Sequence, residues 1–218
     1  LKLDFIIANS DYSVSRLLDM GIPHNLIYKV RGGVNESLCR ECKSNRHLLR
    51  QNIIKTYSIR QKYLLVFATR FVPFKGIIPA LRHLQDSKIK NQCHILFVGT
   101  GLMEYEIKEW CKKNLKENQY SFIGEKSNED TIRIIASSDI LFNPSIYYKA
   151  PSGDGQYIHT ETMGRSMMEA ISVGTKILAT DVGGTKELFS ENHNGIGKLI
   201  SPDLDTLIED LNNIDIIL

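Results

Sequence analysis

The sequence predicts an α/β protein: a Rossmann-like parallel sheet with helices on both faces. Three observations predict it. From Tyr63 onward, short apolar runs alternate with helical patterns, and strands joined through helices form a parallel sheet covered on both sides. The runs end at glycines or small polar residues, as strands do where they turn into helices. The 218 residues, 42% hydrophobic and 24% charged, have the balance of an ordinary globular protein, which excludes a disordered chain or a coiled coil.

Charge and cysteine content narrow the class further. The formal charge is +2 and carries no long block of one sign, so no nucleic-acid partner is expected. The most basic run, Lys108 to Lys116, is interleaved with acids and reads as a solvated helix face. No apolar run approaches the ~18 residues of a membrane span, and the expected location is the cytoplasm. Four cysteines, Cys39, Cys42, Cys93 and Cys111, are too irregularly placed for a disulfide scaffold. Cys39-Arg-Glu-Cys42 reads as two reduced thiols in a polar segment.

Taken in order, Phe5 to Ala8 predict a short buried strand, and Asn9-Ser10-Asp11 an N-cap. The helix that follows spaces Val14, Leu17 and Leu18 on one face. It stops at Met20-Gly21, and Pro23 bars its continuation. Leu26 to Val30 predict a second strand, closed by Gly32-Gly33. Cys39 to Arg60 is polar, with Leu48, Leu49, Ile53 and Ile54 at helical spacing, and is expected to be a linker plus one helix.

The regular part then places strands at Tyr63 to Thr69, His94 to Val98, Tyr120 to Ile123 and Ile140 to Asn143. Helices Ile77 to Gln85, Met103 to Leu115 and Glu129 to Ser137 separate them. Helix Arg165 to Val173, strand Lys176 to Thr180, a short helix at Thr185 to Phe189, strand Gly197 to Ile200 and helix Leu204 to Leu211 complete the pattern. Ser145 to Thr160 interrupts it as a long loop with three tyrosines, and loops beyond ~12 residues in a compact domain are commonly functional or disordered.

In an open parallel sheet, ligands bind beyond the carboxyl ends of the strands. The residues there form a set: Arg70 and Lys75 after one strand, Gly99 and Gly101 after the next, then Gly124, Pro144-Ser145, and Asp181 with Gly183-Gly184. Arg70 and Lys75 could neutralise a diphosphate or be plain surface charges. The glycines could admit a ligand or serve only as turns. Gly99-x-Gly101 lacks a third glycine, because Glu104 stands in its place, so an NAD site fits poorly. A nucleotide-dependent dehydrogenase stays a minor alternative.

Thr160 to Ala170 is the richest stretch. Gly164 precedes good helix formers, so a helix starts there with unpaired N–H groups at Gly164, Arg165 and Ser166 that suit a phosphate. Glu161 would lie just outside that start and Glu169 inside it. Two glutamates at this spacing also occur on ordinary solvated helices.

The ordered series Ile7-Ala-Asn-Ser10, Gly33-Val34-Asn35, Arg70 to Gly76, Phe97-Val-Gly-x-Gly101, Phe122-Ile-Gly124, Asn143-Pro-Ser145, Glu161-x7-Glu169 and Gly183-Gly-x-x-Glu187 resembles the donor-binding half of the family 4 retaining glycosyltransferases of the GT-B fold, the glycosyl transferases group 1. The resemblance implies that Arg70 and Lys75 bind the diphosphate of a nucleotide-sugar donor, with UDP, GDP or ADP as the nucleotide. It implies that Glu161 contacts the donor sugar as the catalytic-site residue and that Glu169 takes the ribose hydroxyls. Gly99, Gly101, Gly164, Arg165 and Ser166 complete the donor-binding set. No cofactor or metal is expected.

Two departures from the family pattern set further expectations. Residues 1–38 match the end of an N-terminal domain and a linker, and residues 39–218 a C-terminal donor domain shortened at its end. A glycan or lipid-linked acceptor would then be met through a missing N-terminal domain, peripheral membrane association would be a property of the full-length protein, and the chain alone would be inactive. Ile146 to Thr160 exceeds the few residues usual before the first glutamate, and could cover the donor, touch an acceptor or be a mobile insertion. The alternatives are a binding module without activity of its own and a nucleotide-sugar epimerase.

Overall fold

The computed structural model describes residues 4–149, 158–191 and 195–218. Its centre is a six-stranded, all-parallel sheet made of β3 (Tyr63–Ala68), β4 (Cys93–Val98), β5 (Tyr120–Gly124), β6 (Ile140–Asn143), β9 (Lys176–Thr180) and β10 (Gly197–Ile200), in the order β10-β9-β6-β3-β4-β5. The chain builds β3, β4 and β5 outward and then returns to lay β6 on the other side of β3. That reversal puts the loops after β3 and β6 side by side, the place where such sheets bind ligands.

The alternation of residues within each strand makes two cores. Every residue of β3 and β4 is buried, as a strand covered on both faces requires. Tyr63, Leu65 and Phe67 face one core with α4 (Ile77–Asp86) and α5 (Glu104–Asn114), while Leu64, Val66 and Ala68 face the other with α6 (Asn128–Ser137) and α7 (Arg165–Val173). Four phenylalanines cross the first face in strand order. Phe142 lies 5.2 Å from Phe67, Phe67 5.4 Å from Phe97, and Phe97 4.6 Å from Phe122, all stacked. Phe67, Phe97 and Phe142 are fully buried, and each such ring contributes about 1.5–3 kcal/mol from area alone.

The polar segment from Cys39 to Arg60 is two helices, not a linker plus one: α2 (Glu36–Ser44) and α3 (Arg46–Thr56). Asn45 ends the first and begins the second with φ −100° and ψ 14°, a break that the helical spacing of apolar residues does not reveal. Cys39 and Cys42 are not in polar surroundings. Both are buried on α2 in the second core, and burial pushes both thiols up.

The first unit pairs β1 (Ile6–Ala8) with β2 (Ile27–Lys29) in parallel, with α1 (Asp11–Asp19) between them. The expected buried strand is only half covered, because Phe5 and Ile7 are exposed at 57% and 60%. The long loop after β6 contains a small antiparallel ladder, β7 (Tyr148–Lys149) against β8 (Ile158–His159), which brings the chain back beside its point of departure. Residues 150–157 of that loop lie outside the described residues.

α8 (Thr185–Glu191) follows β9 as expected. The last expected helix starts later, as α9 (Leu207–Asn212), because Leu204 adopts a left-handed φ of +67° that no helix accommodates, and a short α10 (Ile214–Ile217) follows. Among the described residues no helix is long and apolar enough to cross a membrane.

Candidate functional site

The loop after β3 forms a short 3₁₀ turn, Pro73–Lys75, that ends at Gly76 in the left-handed region (φ +62°). A Cβ on Gly76 would lie 1.9 Å from the Pro144 carbonyl oxygen, so glycine is what lets this loop touch the one after β6. The Ile146 N–H donates to Phe74 O at 2.8 Å and the Thr180 hydroxyl to Ser145 O, which ties three strand ends together. Lys75 Nζ forms an ion pair with Glu161 Oε2, although 86 residues separate them. Their side chains are 12% and 10% exposed. The Lys75 ammonium lies 5.2 Å from the Phe74 ring centroid, and Phe74 stacks on His159 at 5.9 Å.

α7 begins at Gly164, with φ +77° and no side-chain cap; the Met167 N–H donates to Gly164 O at 3.0 Å, and no side chain caps the Arg165 and Ser166 N–H groups before it. Glu169, one turn in, is 4% exposed at its side chain. Its Oε1 accepts from Asn128 Nδ2 at 2.7 Å and lies 3.6 Å from Arg165 Nε. Burial raises the carboxyl above its ordinary pKa, opposed by the Asn128 hydrogen bond and the Arg165 charge. Asn128 arises because Ser127 caps α6 right after β5, which delivers the next residue to the sheet's carboxyl edge.

The turn Gly183-Gly184 packs against the glutamate loop from behind. Added Cβ atoms would lie 1.8 Å from Glu161 O and 1.9 Å from Thr162 O, and the Gly184 N–H donates to Glu161 O at 3.1 Å. Gly99 and Gly101 serve a similar closeness: their Cβ positions would meet Thr69 O at 2.0 Å and Phe71 O at 2.4 Å, so these glycines lock the loops after β3 and β4 together. Arg70 sits on that joint, exposed to solvent.

A cleft of about 480 Å³ runs along the site. Glu161 to Arg165 and Met168 form one wall, and Asn9 with Gly32-Gly33 of the first unit the other. A larger cleft of about 730 Å³ lies across the Asn9–Thr162 contact, lined by β1, α1 and β8, and it holds neither glutamate. The smaller one carries the charge and the open helix start.

The structure thus brings Lys75, Glu161, Gly164, Arg165, Ser166 and Glu169 to one strand-end face, with Gly99, Gly101 and Arg70 at the neighbouring joint. Sequence reasoning missed Asn128, Phe74 and Asn9 as neighbours of these residues. Asn9 and Phe74 lie inside the family-pattern segments Ile7-Ala-Asn-Ser10 and Arg70 to Gly76, and Asn128 left a signal of another kind, a polar residue following a helix cap at a strand end.

The family model for glycosyl transferases group 1 matches residues 50–213. The chain belongs to that family. It is 23% identical over 133 residues to an uncharacterized glycosyltransferase, MJ1607, of Methanocaldococcus jannaschii, covering 61% of this chain and 31% of that protein. It is 23% identical over 181 residues to the amylovoran biosynthesis glycosyltransferase AmsK of Erwinia amylovora, covering 83% and 40%. Among solved structures, Alr3699/HepE of Anabaena, in complex with UDP and glucose, superposes with a TM-score of 0.75 at 21% identity, over 97% of this chain and 53% of that one. The family's GT-B, Rossmann-like architecture is therefore this chain's architecture. The chain spans between a third and about half the length of these relatives.

Proposed function

We propose that this chain is the nucleotide-sugar-binding part of a retaining glycosyltransferase. The full protein would move a hexose-type sugar from a nucleoside diphosphate to a glycan or lipid-linked acceptor. The observation that carries the reading is the buried Lys75–Glu161 pair beside the open start of α7, with Glu169 inside the same helix. A cation and outward N–H groups suit a diphosphate; two carboxylates suit hydroxyl groups on either side of it.

In the reaction, the bond between the anomeric carbon and the β-phosphate oxygen breaks, the same carbon bonds to the acceptor oxygen, and the proton of the acceptor hydroxyl passes to the departing diphosphate. Charge builds on the departing diphosphate. Lys75, Arg70 and the N–H groups at Gly164, Arg165 and Ser166 would stabilise it. Glu161 would hold the sugar hydroxyls, and Glu169 the ribose. Arrival of the diphosphate would draw Lys75 from Glu161, freeing that carboxylate for the sugar.

UDP is the favoured nucleotide, supported by the UDP and glucose bound to the Anabaena relative. Its role in polysaccharide biosynthesis is supported by the named role of AmsK. The acceptor side would come from a further domain, through which the full protein could also meet a membrane surface.

A thermal-shift series with UDP, GDP, ADP and their sugars tests the proposal, since a ligand bound only by the folded form raises the midpoint. At least one should do so, and Arg70→Ala and Glu169→Gln should shrink the shift. Absence of a shift with every nucleotide overturns the reading.

A further inference from the structure

The Gly183-Gly-x-x-Glu187 segment has a glutamate that plays no part in the donor contacts above. Its side chain instead reaches the first unit. Glu187 Oε2 accepts from the Asp11 N–H at 2.8 Å, and Oε1 accepts from the Tyr12 N–H at 3.0 Å. Ser10 Oγ takes the Ser13 N–H at 3.1 Å, so the first three N–H groups of α1 are all satisfied, two of them by one carboxylate from α8. A carboxylate at a helix N-terminus is favoured by the helix dipole as well as by the hydrogen bonds. Arg31 Nη2 stands 3.6 Å from Oε2, and the Glu187 side chain is only 16% exposed.

This contact matters for how α1 is held. None of its residues is buried, and β1 and β2 pair only with each other. Neither apolar core of the sheet includes a described residue of this unit, so core packing does not fix it there. Polar contacts do, and the pair of bonds to Glu187 is joined by a third, from Asn9 Nδ2 to Thr162 Oγ1 at 3.3 Å. Gly184, three residues before Glu187, is wedged between Ser10 and the Thr162 carbonyl, with its Cβ position 3.0 Å from Ser10 Cβ and 1.9 Å from Thr162 O. Glu187, the glycine turn, Asn9 and Thr162 thus form one chain of contacts ending beside Glu161.

We propose that Glu187 is a positioning residue: it clamps the start of α1 to the donor-binding sheet, and so places Asn9 and Gly32-Gly33 as the second wall of the donor cleft. The link to donor binding rests on the function proposed above; the clamp itself does not. By this account the glutamate of the glycine-glycine segment acts on the donor only through α1.

The test compares Glu187→Gln, Glu187→Ala and Asp11→Pro, with Asp11→Ala as the reference for the last. Proline is well tolerated at the first helical position and the preceding Ser10 is already extended (φ −156°, ψ 162°), so Asp11→Pro deletes one clamped N–H with α1 kept helical. Hydrogen exchange read by mass spectrometry on the 218-residue chain should show α1 amides exchanging about tenfold faster or more in Glu187→Ala. Glu187→Gln should be milder, because one acceptor oxygen survives. Asp11→Pro should exceed Asp11→Ala, and adding it to Glu187→Ala should produce less than the sum of the two.

Affinity for the nucleotide that binds the unaltered chain should fall several-fold in Glu187→Ala, in step with the exchange. Unchanged exchange in α1, or a rise confined to α8 and β9, overturns the clamp. Exchange that rises while affinity stays fixed overturns its role in the cleft. If the unaltered chain binds none of UDP, GDP and ADP, the donor reading fails, and the exchange data still decide whether Glu187 fastens α1.

Discussion

Lys75 and Glu161 meet where water is scarce, and each charge depends on the other. Removing one leaves its partner buried and unpaired, which costs far more than the pair contributes. Lys75→Met should therefore lower stability by about 3 kcal/mol in denaturant titration, whereas Lys75→Met with Glu161→Gln should recover most of that loss. Both variants should lose nucleotide affinity. Recovery of stability without recovery of binding would separate the structural role of the pair from its role in the site.

Glu169 makes a second prediction at this scale. Burial raises its pKa, so at the acid end it holds its proton longer than it would in an unfolded chain. Asn128 donates to the charged form and opposes that rise. Asn128→Ala should push the carboxyl higher still. If the carboxylate accepts a ribose hydroxyl, nucleotide affinity should strengthen as pH rises through the Glu169 pKa, with the midpoint of that rise at higher pH in Asn128→Ala. Affinity measured between about pH 4 and pH 7 checks this. An unmoved midpoint would mean that Asn128 does not tune the group.

At the scale of elements, the glycines that carry the site differ in what they tolerate. Gly164 and Gly184 illustrate the contrast. A methyl group on Gly164 would meet the end of the flexible Met167 side chain, so Gly164→Ala should cost about 1 kcal/mol, mainly from the left-handed backbone at φ +77°. On Gly184 the methyl would lie 1.9 Å from a backbone oxygen. Gly184→Ala must shift the glutamate loop or the turn itself, and should cost several kcal/mol and abolish nucleotide binding. Thermal melts of the two variants make the comparison.

The sheet and most of its helices were legible because strands covered on both faces are continuous apolar runs, and Tyr63 to Ala68 or Cys93 to Val98 can hardly be anything else. The break at Asn45 was not legible, since apolar spacing continues through it. Nor was the β7–β8 ladder, whose two residues per strand are too short to show a period. Lys75, Glu161, Gly164 and Glu169 could be named from strand ends and one family pattern. Their pairing could not, and neither could the Asn128–Glu169 bond, because contacts across 86 and 41 residues depend on strand order and leave no local trace.

For the molecule as a whole, two buried groups pull stability in opposite directions with pH. His94 is 1% exposed, donating or accepting at 3.0 Å with Asn118 O and with Ser121 Oγ, and burial lowers its pKa. The carbonyl can only accept, so Nδ1 carries a proton, and with burial lowering the pKa the ring is neutral at pH 7, leaving Nε2 to accept from the serine hydroxyl. The folded state therefore binds fewer protons than the unfolded one below about pH 6.5, and stability falls on acidification through that range. Glu169 acts the other way: its raised pKa makes the folded state the better proton binder, so its contribution falls as pH rises from about 4.5. Denaturation midpoints of His94→Gln should lose less on going from about pH 7 to pH 5 than those of the unaltered chain. An identical slope would place the acid sensitivity elsewhere.

The return of the chain to lay β6 beside β3 also orders events in time. Lys75 leaves the ribosome 86 residues ahead of Glu161, a lag of roughly 4–17 s at ordinary rates of synthesis. Until β6 emerges within that interval, β3 can pair with β4 and β4 with β5, yet the other edge of β3 stays open, a row of unclaimed N–H and C=O groups along an apolar strand. The newborn half-sheet is most exposed to mispairing in that window, and the strand that ends the exposure also leads the chain to the glutamate that completes the site.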